Sequence, residues 1–382
     1  MLKSTNEGYR ALFDPLYVPP FVIGLDKEEH LIKGFLEDNY SLNSTNNRDF
    51  RVSKAGASVM IDGIKGIGKS TLTRKVSTDI IHSKHYSSQD FINISINCLG
   101  KDENQILQDL INGLGIELDY PTLVKLDSRV AWSLIANVSQ KKKRTIINVL
   151  LNNTESLQFN FYKKLVYNLK NLGINLLITT NVRNNQYFLD NVDLNLSLHA
   201  YSVKNLNKIV DQRCDIAFPG HRTTFPRFIT DSVLEFDTAR PEPCISILRH
   251  AYPDLRKGDF SDFSLEKMQN CCKDVLPDII YNEFSLIDSF NDAPVQMLVF
   301  LDNIASFFED GSKYYIDRED LLDLYGMACE NLEMKGTKIE FEDFLARFRA
   351  NHVLLKSNND DNTFFTMIPV NFLKFYLDEI FN

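Results

Sequence analysis

Nine consecutive residues, Gly63-Ile64-Lys65-Gly66-Ile67-Gly68-Lys69-Ser70-Thr71, have the types and spacing to cradle a phosphate: they fill the pattern G-x-x-x-x-G-K-S/T. Glycines let backbone N–H groups turn inward around an anion. A helix beginning near Lys69 would add its positive dipole end and unpaired N–H groups to the same anion. Lys69 would reach the outer phosphates of a nucleotide, and the Ser70 hydroxyl would complete a Mg²⁺ shell otherwise built from phosphate oxygens and water. The candidate contacts are therefore Gly63, Lys65, Gly66, Ile67, Gly68, Lys69, Ser70 and Thr71, with Ser70 also the candidate metal ligand. A glycine-rich turn that binds nothing is the plain alternative, and the four fixed positions and both flanks speak against it.

The loop needs a strand before it and a helix after it. The run Ser58-Val59-Met60-Ile61 and the segment Leu72-Thr73-Arg74-Lys75-Val76 supply them. Further strands are expected over Phe91–Asn97, Thr145–Leu151 and Asn175–Thr180, and helices over Asn104–Gly115, Leu126–Val138 and Phe161–Leu172. That alternation predicts an α/β fold with a parallel sheet covered on both faces. Upstream, a helix is expected from Asp26, with Asp26 as its N-cap, to Leu36; the polar stretch 37–55 reads as a surface loop. From Val203 the pattern turns helical. Beyond about Ala293 it predicts helices over Val295–Phe308, Arg318–Leu332 (N-cap Asp317) and Glu340–Ala350. A hairpin, Val353–Lys356 with Thr363–Met367, and a last helix over Asn371–Phe381 follow. Three helices and a hairpin are a winged-helix order. The expected division is a nucleotide-binding base (1–201), a helical lid (202–290) and a winged helix (291–382).

The chain has 382 residues, 44% hydrophobic and 24% charged, with a formal net charge of -9. No run approaches the roughly 20 apolar residues that span a bilayer, and the first ten residues lack the apolar core of a signal peptide, so no membrane role is expected. Six scattered cysteines suggest neither a zinc site nor a disulfide framework. The negative charge argues against coating nucleic acid by bulk electrostatics.

Taken together, the chain resembles the initiator-type AAA+ ATPases of the origin-recognition complex and their archaeal counterparts. The likeness rests on the phosphate loop, on Ile94–Cys98 followed by NQILQDLINGLG, and on Tyr120-Pro121. It rests above all on Tyr201-Ser202-Val203-Lys204-Asn205-Leu206 followed by Ile209-Val210-Asp211-Gln212-Arg213. It implies an AAA+ P-loop sheet with a lid and winged helix, ATP or ADP with Mg²⁺ at the loop, and Asn181 as the sensor-1 asparagine facing the nucleotide. It also implies double-stranded DNA and other initiator subunits, or copies of the chain, as partners, with a cytoplasmic location in an archaeon and a nuclear one in a eukaryote.

The departures point away from turnover. Where the family ends its Walker B strand in Asp-Glu, this chain has Asn152-Asn153, and amides neither carry the charge nor accept the proton that hydrolysis requires. Glu155 is the nearest carboxylate, two residues late. No arginine occurs between Asn184 and Lys204, Arg183 falls too early for an arginine finger, and the lid's sensor arginine is displaced to Arg240 or lost. The expectation is a nucleotide binder with weak or lost hydrolysis, and no catalytic residue is assigned.

A DNA-reading winged helix would use Arg347, Arg349, Asn351, His352 and Lys356. Yet acidic residues outnumber basic ones about two to one from Asn291 onward, and the hairpin tip carries Asp360-Asp361, which would repel phosphates. The segments 219–227 and Lys141–Arg144 are locally more basic. Three readings follow: a DNA-binding replication initiator, a pseudo-ATPase scaffold subunit of an initiator assembly, and an ATP-gated signalling switch.

Overall fold

The computed structural model describes residues 10–44, 55–83, 90–118, 126–142, 145–182, 189, 191–218, 224–255, 264–276, 290, 292–309 and 311–381. By contacts the chain divides into two compact units, Val18–His199 and, together, Met1–Tyr17 with Ala200–Asn382.

In the first unit, strands β1 (Ser58–Asp62), β2 (Asp90–Asn97), β3 (Thr145–Asn152), β4 (Asn175–Thr180) and β5 (Leu194–Ser197) form a parallel sheet in the order β2-β3-β4-β1-β5. β1 and β4 are buried from end to end, which is why apolar residues follow one another at the centre of each, Val59–Ile61 and Leu176–Ile178, rather than alternating. Helices α1 (Asp26–Ser44), α2 (Lys69–Ile81), α3 (Glu103–Gly113), α4 (Ser128–Lys141) and α5 (Phe159–Asn171) complete the unit. On one face, Ile94, Val149, Leu151, Leu176 and Ile178 pack with Leu110 of α3, Ile135 of α4 and Leu165 of α5. The α/β parallel sheet expected from the sequence is the one found.

Two expectations fail here. The stretch 37–55 is not wholly loop, because α1 continues to Ser44. Asn93, Asn148 and Asn175 lie opposite one another across β2, β3 and β4. Asn148 donates to Asn93 Oδ1 (3.0 Å), and Asn175 donates to Asn148 Oδ1 (3.2 Å). From α1, the Tyr40 hydroxyl donates to Asn148 Oδ1 (2.9 Å) and Asn39 donates to Asn175 Oδ1 (3.0 Å). These partners, and burial of Tyr40, hold helical a stretch whose Asn and Ser content disfavours helix. Asp26 is the first residue of α1 rather than its cap.

The sequence also gave no sign of β5. Its four residues are only half-buried, and the pairing is secured by Asp193, which accepts hydrogen bonds from the Ser58 N–H (2.8 Å) and hydroxyl (2.9 Å).

The second unit is helical. Helices α6 (Val203–Ala217), α7 (Phe225–Phe236), α8 (Pro241–Leu255), α9 (Leu265–Val275), α10 (Val295–Phe308), α11 (Arg318–Asn331), α12 (Lys338–Ala350) and α13 (Val370–Phe381) share one core that runs from Leu12 to Leu377. Three short strands, β6 (Ile316–Asp317), β7 (Leu355–Lys356) and β8 (Thr363–Phe365), pair antiparallel in the order β6-β8-β7. The helices and hairpin expected beyond residue 293 occur in that order, with β6 as an addition. α12 starts at a capping box, in which Thr337 and Glu340 satisfy each other's backbone N–H. Arg213, deeply buried on α6, donates to the Leu12 carbonyl (2.8 Å) and lies over the Tyr17 ring (4.4 Å), and burial lowers its pKa to about 10. It thereby ties the N-terminal segment to the helices.

Candidate nucleotide site

The loop leaves the carboxyl end of β1, where the register sets Asp62 opposite Thr180 of β4. Gly63 has φ +150°, and a Cβ there would stand 2.9 Å from the Leu198 carbonyl oxygen, so a side chain would push the strand end apart. Gly68 caps α2 with φ 103°, ψ 8°, a left-handed conformation that glycine takes without steric cost. The Leu72 N–H is the first in α2 to find its carbonyl, Gly68 O (2.9 Å). The N–H groups of Lys69, Ser70 and Thr71 precede it and have no partner within the helix, which is the arrangement that takes an anion. Lys65 is exposed on the loop, Gly66, Ser70 and Thr71 are half-buried, and Ile67 is buried beneath it.

Lys69 is 6% exposed. Its ammonium donates to the carbonyls of Gly63 (2.7 Å) and Ile64 (2.8 Å) and to Asn181 Oδ1 (2.8 Å). Burial lowers its pKa to about 8, against the upward pull of the Glu155 and Asp62 carboxylates. Below pH 8 the lysine is charged in both folded and unfolded chains, and its burial costs stability; that cost is relieved as pH climbs from 8 toward the ordinary 10.5. A phosphate beside the ammonium raises this pKa again. Nucleotide binding is therefore expected to take up protons near pH 8, to take up fewer as pH falls below it, and to weaken above pH 8. Calorimetry in buffers of different ionisation enthalpy measures the uptake.

Asn181 joins the loop to the end of β3. Its side-chain N–H₂ donates to Glu155 Oε1 in a short contact, and its backbone N–H donates to Glu155 Oε2 (3.2 Å). Glu155 sits on a 3₁₀ turn, Thr154–Ser156, pinned by the Thr154 hydroxyl on the Thr179 carbonyl (3.2 Å) and the Ser156 hydroxyl on the Cys98 carbonyl (2.8 Å). Asn152 is buried and its Oδ1 accepts from the Thr179 hydroxyl (3.2 Å). Asn153 adopts φ 58° and donates to Asn97 Oδ1 (2.8 Å). Both amides are thus occupied with neutral neighbours.

One residue escaped the sequence reading. Asp62 closes β1 at 1% exposure, and neither carboxylate oxygen has a hydrogen-bond partner. The signal was a lone acid at the end of an otherwise apolar strand, Ser58–Asp62. An unpartnered buried carboxylate is costly, and its nearness to Lys69 marks this end of the sheet as a place for positive charge. A phosphate cradle that a Cβ would fill, an orphaned carboxylate and the Ser70 hydroxyl together fit a nucleotide with a divalent cation.

The other candidate positions are dispersed. Arg183, Tyr120-Pro121, Lys143, Arg144 and residues 219–223 lie outside the described residues. Arg240 is paired with Asp237 (2.5 Å) and faces Glu242 (3.7 Å). Arg349 is exposed; Arg347 lies over the Phe290 ring (5.7 Å), and Asn351 caps α12 by donating to the Arg347 carbonyl (3.0 Å). His352 follows in a left-handed turn, φ 55°. Lys356, the one basic residue between Val353 and Met367, is paired with Asp361 (2.6 Å).

The hairpin itself is clamped to α7. Asp231, fully buried, accepts from the Tyr315 hydroxyl (2.7 Å), the Ser357 hydroxyl (2.7 Å), the Asn358 N–H (2.8 Å) and the Asn359 side chain (3.0 Å). Arg227 donates to Ser357 Oγ (3.0 Å) and Thr363 Oγ1 (2.7 Å) and stacks on the Tyr315 ring (4.5 Å). Burial and the Asp231 carboxylate push the Tyr315 pKa far up, keeping its hydroxyl a donor.

No protein-family model matches the sequence, and no curated protein is similar to it in sequence. Solved structures are similar over nearly the whole chain. Cdc6p of Pyrobaculum aerophilum aligns over 97% of this chain and 98% of its own at 17% identity, TM-score 0.71. The ORC1 protein of Aeropyrum pernix, solved in complex with DNA, aligns over 97% and 96% at 13% identity, TM-score 0.58. The ORC2 protein of the same organism, solved as ADPNP-ADP complexes, aligns over 97% and 97% at 15% identity, TM-score 0.53. The chain shares the fold of these structures, as the resemblance implied.

Proposed function

We propose that this chain, folded as an initiator-type AAA+ protein, binds ATP or ADP at the Gly63–Thr71 loop and serves replication initiation with weak or lost hydrolysis. The observation that carries it is the buried Lys69 ammonium, held among Gly63, Ile64 and Asn181 at the mouth of a helix N-terminus. In this reading the loop N–H groups and Lys69 hold the phosphates, Ser70 ligates Mg²⁺, and bound Mg²⁺ neutralises phosphate charge. Residues 1–201, 202–290 and 291–382 act as base, lid and winged helix. The nucleotide is a structural clamp rather than fuel. Supporting weak turnover, Asn152 and Asn153 are neutral and both Glu155 oxygens are engaged by Asn181. A steady-state assay is expected to show ATP turnover indistinguishable from background; robust turnover that disappears in Lys69→Ala sinks this reading.

One neighbour is an ORC1 protein solved in complex with DNA and another an ORC2 protein solved as ADPNP-ADP complexes, and by that analogy the partners of this chain are double-stranded DNA and further initiator subunits. The Lys356–Asp361 pair and the clamped hairpin favour a second reading for the C-terminal segment, a scaffold that meets protein rather than DNA. Affinity for duplex DNA that falls steeply with salt supports the initiator, and no binding at low salt supports the scaffold.

A further inference from the structure

Asn181 is committed at both ends of its side chain. Its oxygen accepts from the Lys69 ammonium, its N–H₂ donates to Glu155, and its backbone N–H donates to the same carboxylate. Only this orientation gives each charge a complementary partner. A flipped amide would set N–H₂ against the ammonium and oxygen against the carboxylate. Glu155 in turn cannot drift, because hydroxyls on either side of it, Thr154 and Ser156, are tied to the carbonyls of Thr179 and Cys98. A carboxylate therefore stands one amide away from the lysine that meets the outer phosphates.

Resting on the nucleotide-binding reading above, we propose that Glu155 makes this site select a nucleoside diphosphate over the triphosphate. The two phosphates of a diphosphate are served by the loop N–H groups and Lys69. A third phosphoryl group brings further negative charge to the outer side of Lys69, toward Asn181. There it needs the Asn181 N–H₂ as donor, and Glu155 holds that donor. It also meets the Glu155 carboxylate, a like charge in a partly desolvated site where screening by water is weak. Asn152 and Asn153 are neutral and are bonded to Thr179 and Asn97, so neither adds charge to offset this repulsion by holding a metal. Glu155 is thus a positioning residue that acts on the nucleotide through Asn181.

The test is calorimetric titration of the full chain, in Mg²⁺, with ADP and with a non-hydrolysable β,γ-imido triphosphate. The wild type is expected to prefer ADP by about tenfold to a hundredfold, the range that one charge-assisted hydrogen bond is worth. Glu155→Gln removes the charge at nearly constant shape, and Glu155→Ala frees the Asn181 donor as well. Each is expected to bring the two affinities within about threefold by tightening the triphosphate, with ADP changed less than about twofold. Melting curves confirm that the variants fold, and a merely structural role for Glu155 would move both nucleotides together. Equal wild-type affinities, or a preference unchanged in both variants, overturn the selection by Glu155 while leaving nucleotide binding in place. Binding of neither nucleotide by the wild type overturns both.

Discussion

Replacing Lys69 with alanine is expected to weaken nucleotide binding about 100-fold, the loss of one to two charge-assisted hydrogen bonds to phosphate at about 1.5–3 kcal/mol each. The check is the nucleotide-dependent rise in unfolding free energy. At a ligand concentration about 100 times its Kd the wild type gains about 2.7 kcal/mol, whereas a variant weakened 100-fold gains about 0.4 kcal/mol at the same concentration. The shift on adding nucleotide is the proper measure, not the stability without it. Alanine also takes donors from the Gly63 and Ile64 carbonyls and from Asn181, and it leaves Asp62 and Glu155 without their nearby cation. Lys69→Gln keeps a hydrogen-bond donor, on a side chain one atom shorter and without charge, and is expected to lose binding to a similar extent. A variant that keeps the full nucleotide-dependent shift would remove Lys69 from the site.

The second large effect concerns stability. Asp231→Ala is expected to cost about 3–5 kcal/mol, as removal of one member of a buried charged network does. Four donors converge on this carboxylate from Tyr315, Ser357, Asn358 and Asn359, and the Arg227 guanidinium lies 3.8 Å away. Without it the Asn358 N–H and the Asn359 amide lose their acceptor, and the Arg227 charge loses its counter-ion. Asp231→Asn is expected to cost less, about 1–3 kcal/mol, because the Tyr315 and Ser357 hydroxyls can rotate to accept from the new N–H₂. Urea denaturation of both variants measures the order. An alanine variant within about 0.5 kcal/mol of the wild type would show that the clamp does not hold the hairpin.

Much of the base was legible because its signals are local. The continuous apolar runs of β1, β3 and β4 are the mark of strands covered on both faces, and glycine and lysine spacing marked the loop between β1 and α2. The missed pieces were those whose structure is imposed from elsewhere. Strand β5 spans four residues and β6 two, too short for a periodic pattern, and both exist through pairing with distant strands. The last eight residues of α1, Glu37–Ser44, read as loop by composition and are helical with Tyr40 and Asn39 bonded to the sheet.

The sequence by itself determined that the chain carries a phosphate loop in an α/β frame and that amides stand at Asn152 and Asn153, because residue identity and short-range spacing are covalent facts. Only the tertiary structure decided what those residues face. The Lys69–Asn181 bond joins residues 112 positions apart, the Asn181–Glu155 bond spans 26, and the Asp231–Ser357 bond spans 126. No periodicity encodes such distances. They arise when strand order sets β1 beside β4 and when α7 packs on the hairpin, so the burial of Asp62, the placement of Glu155 and the pairing of Lys356 with Asp361 became visible only in the folded chain.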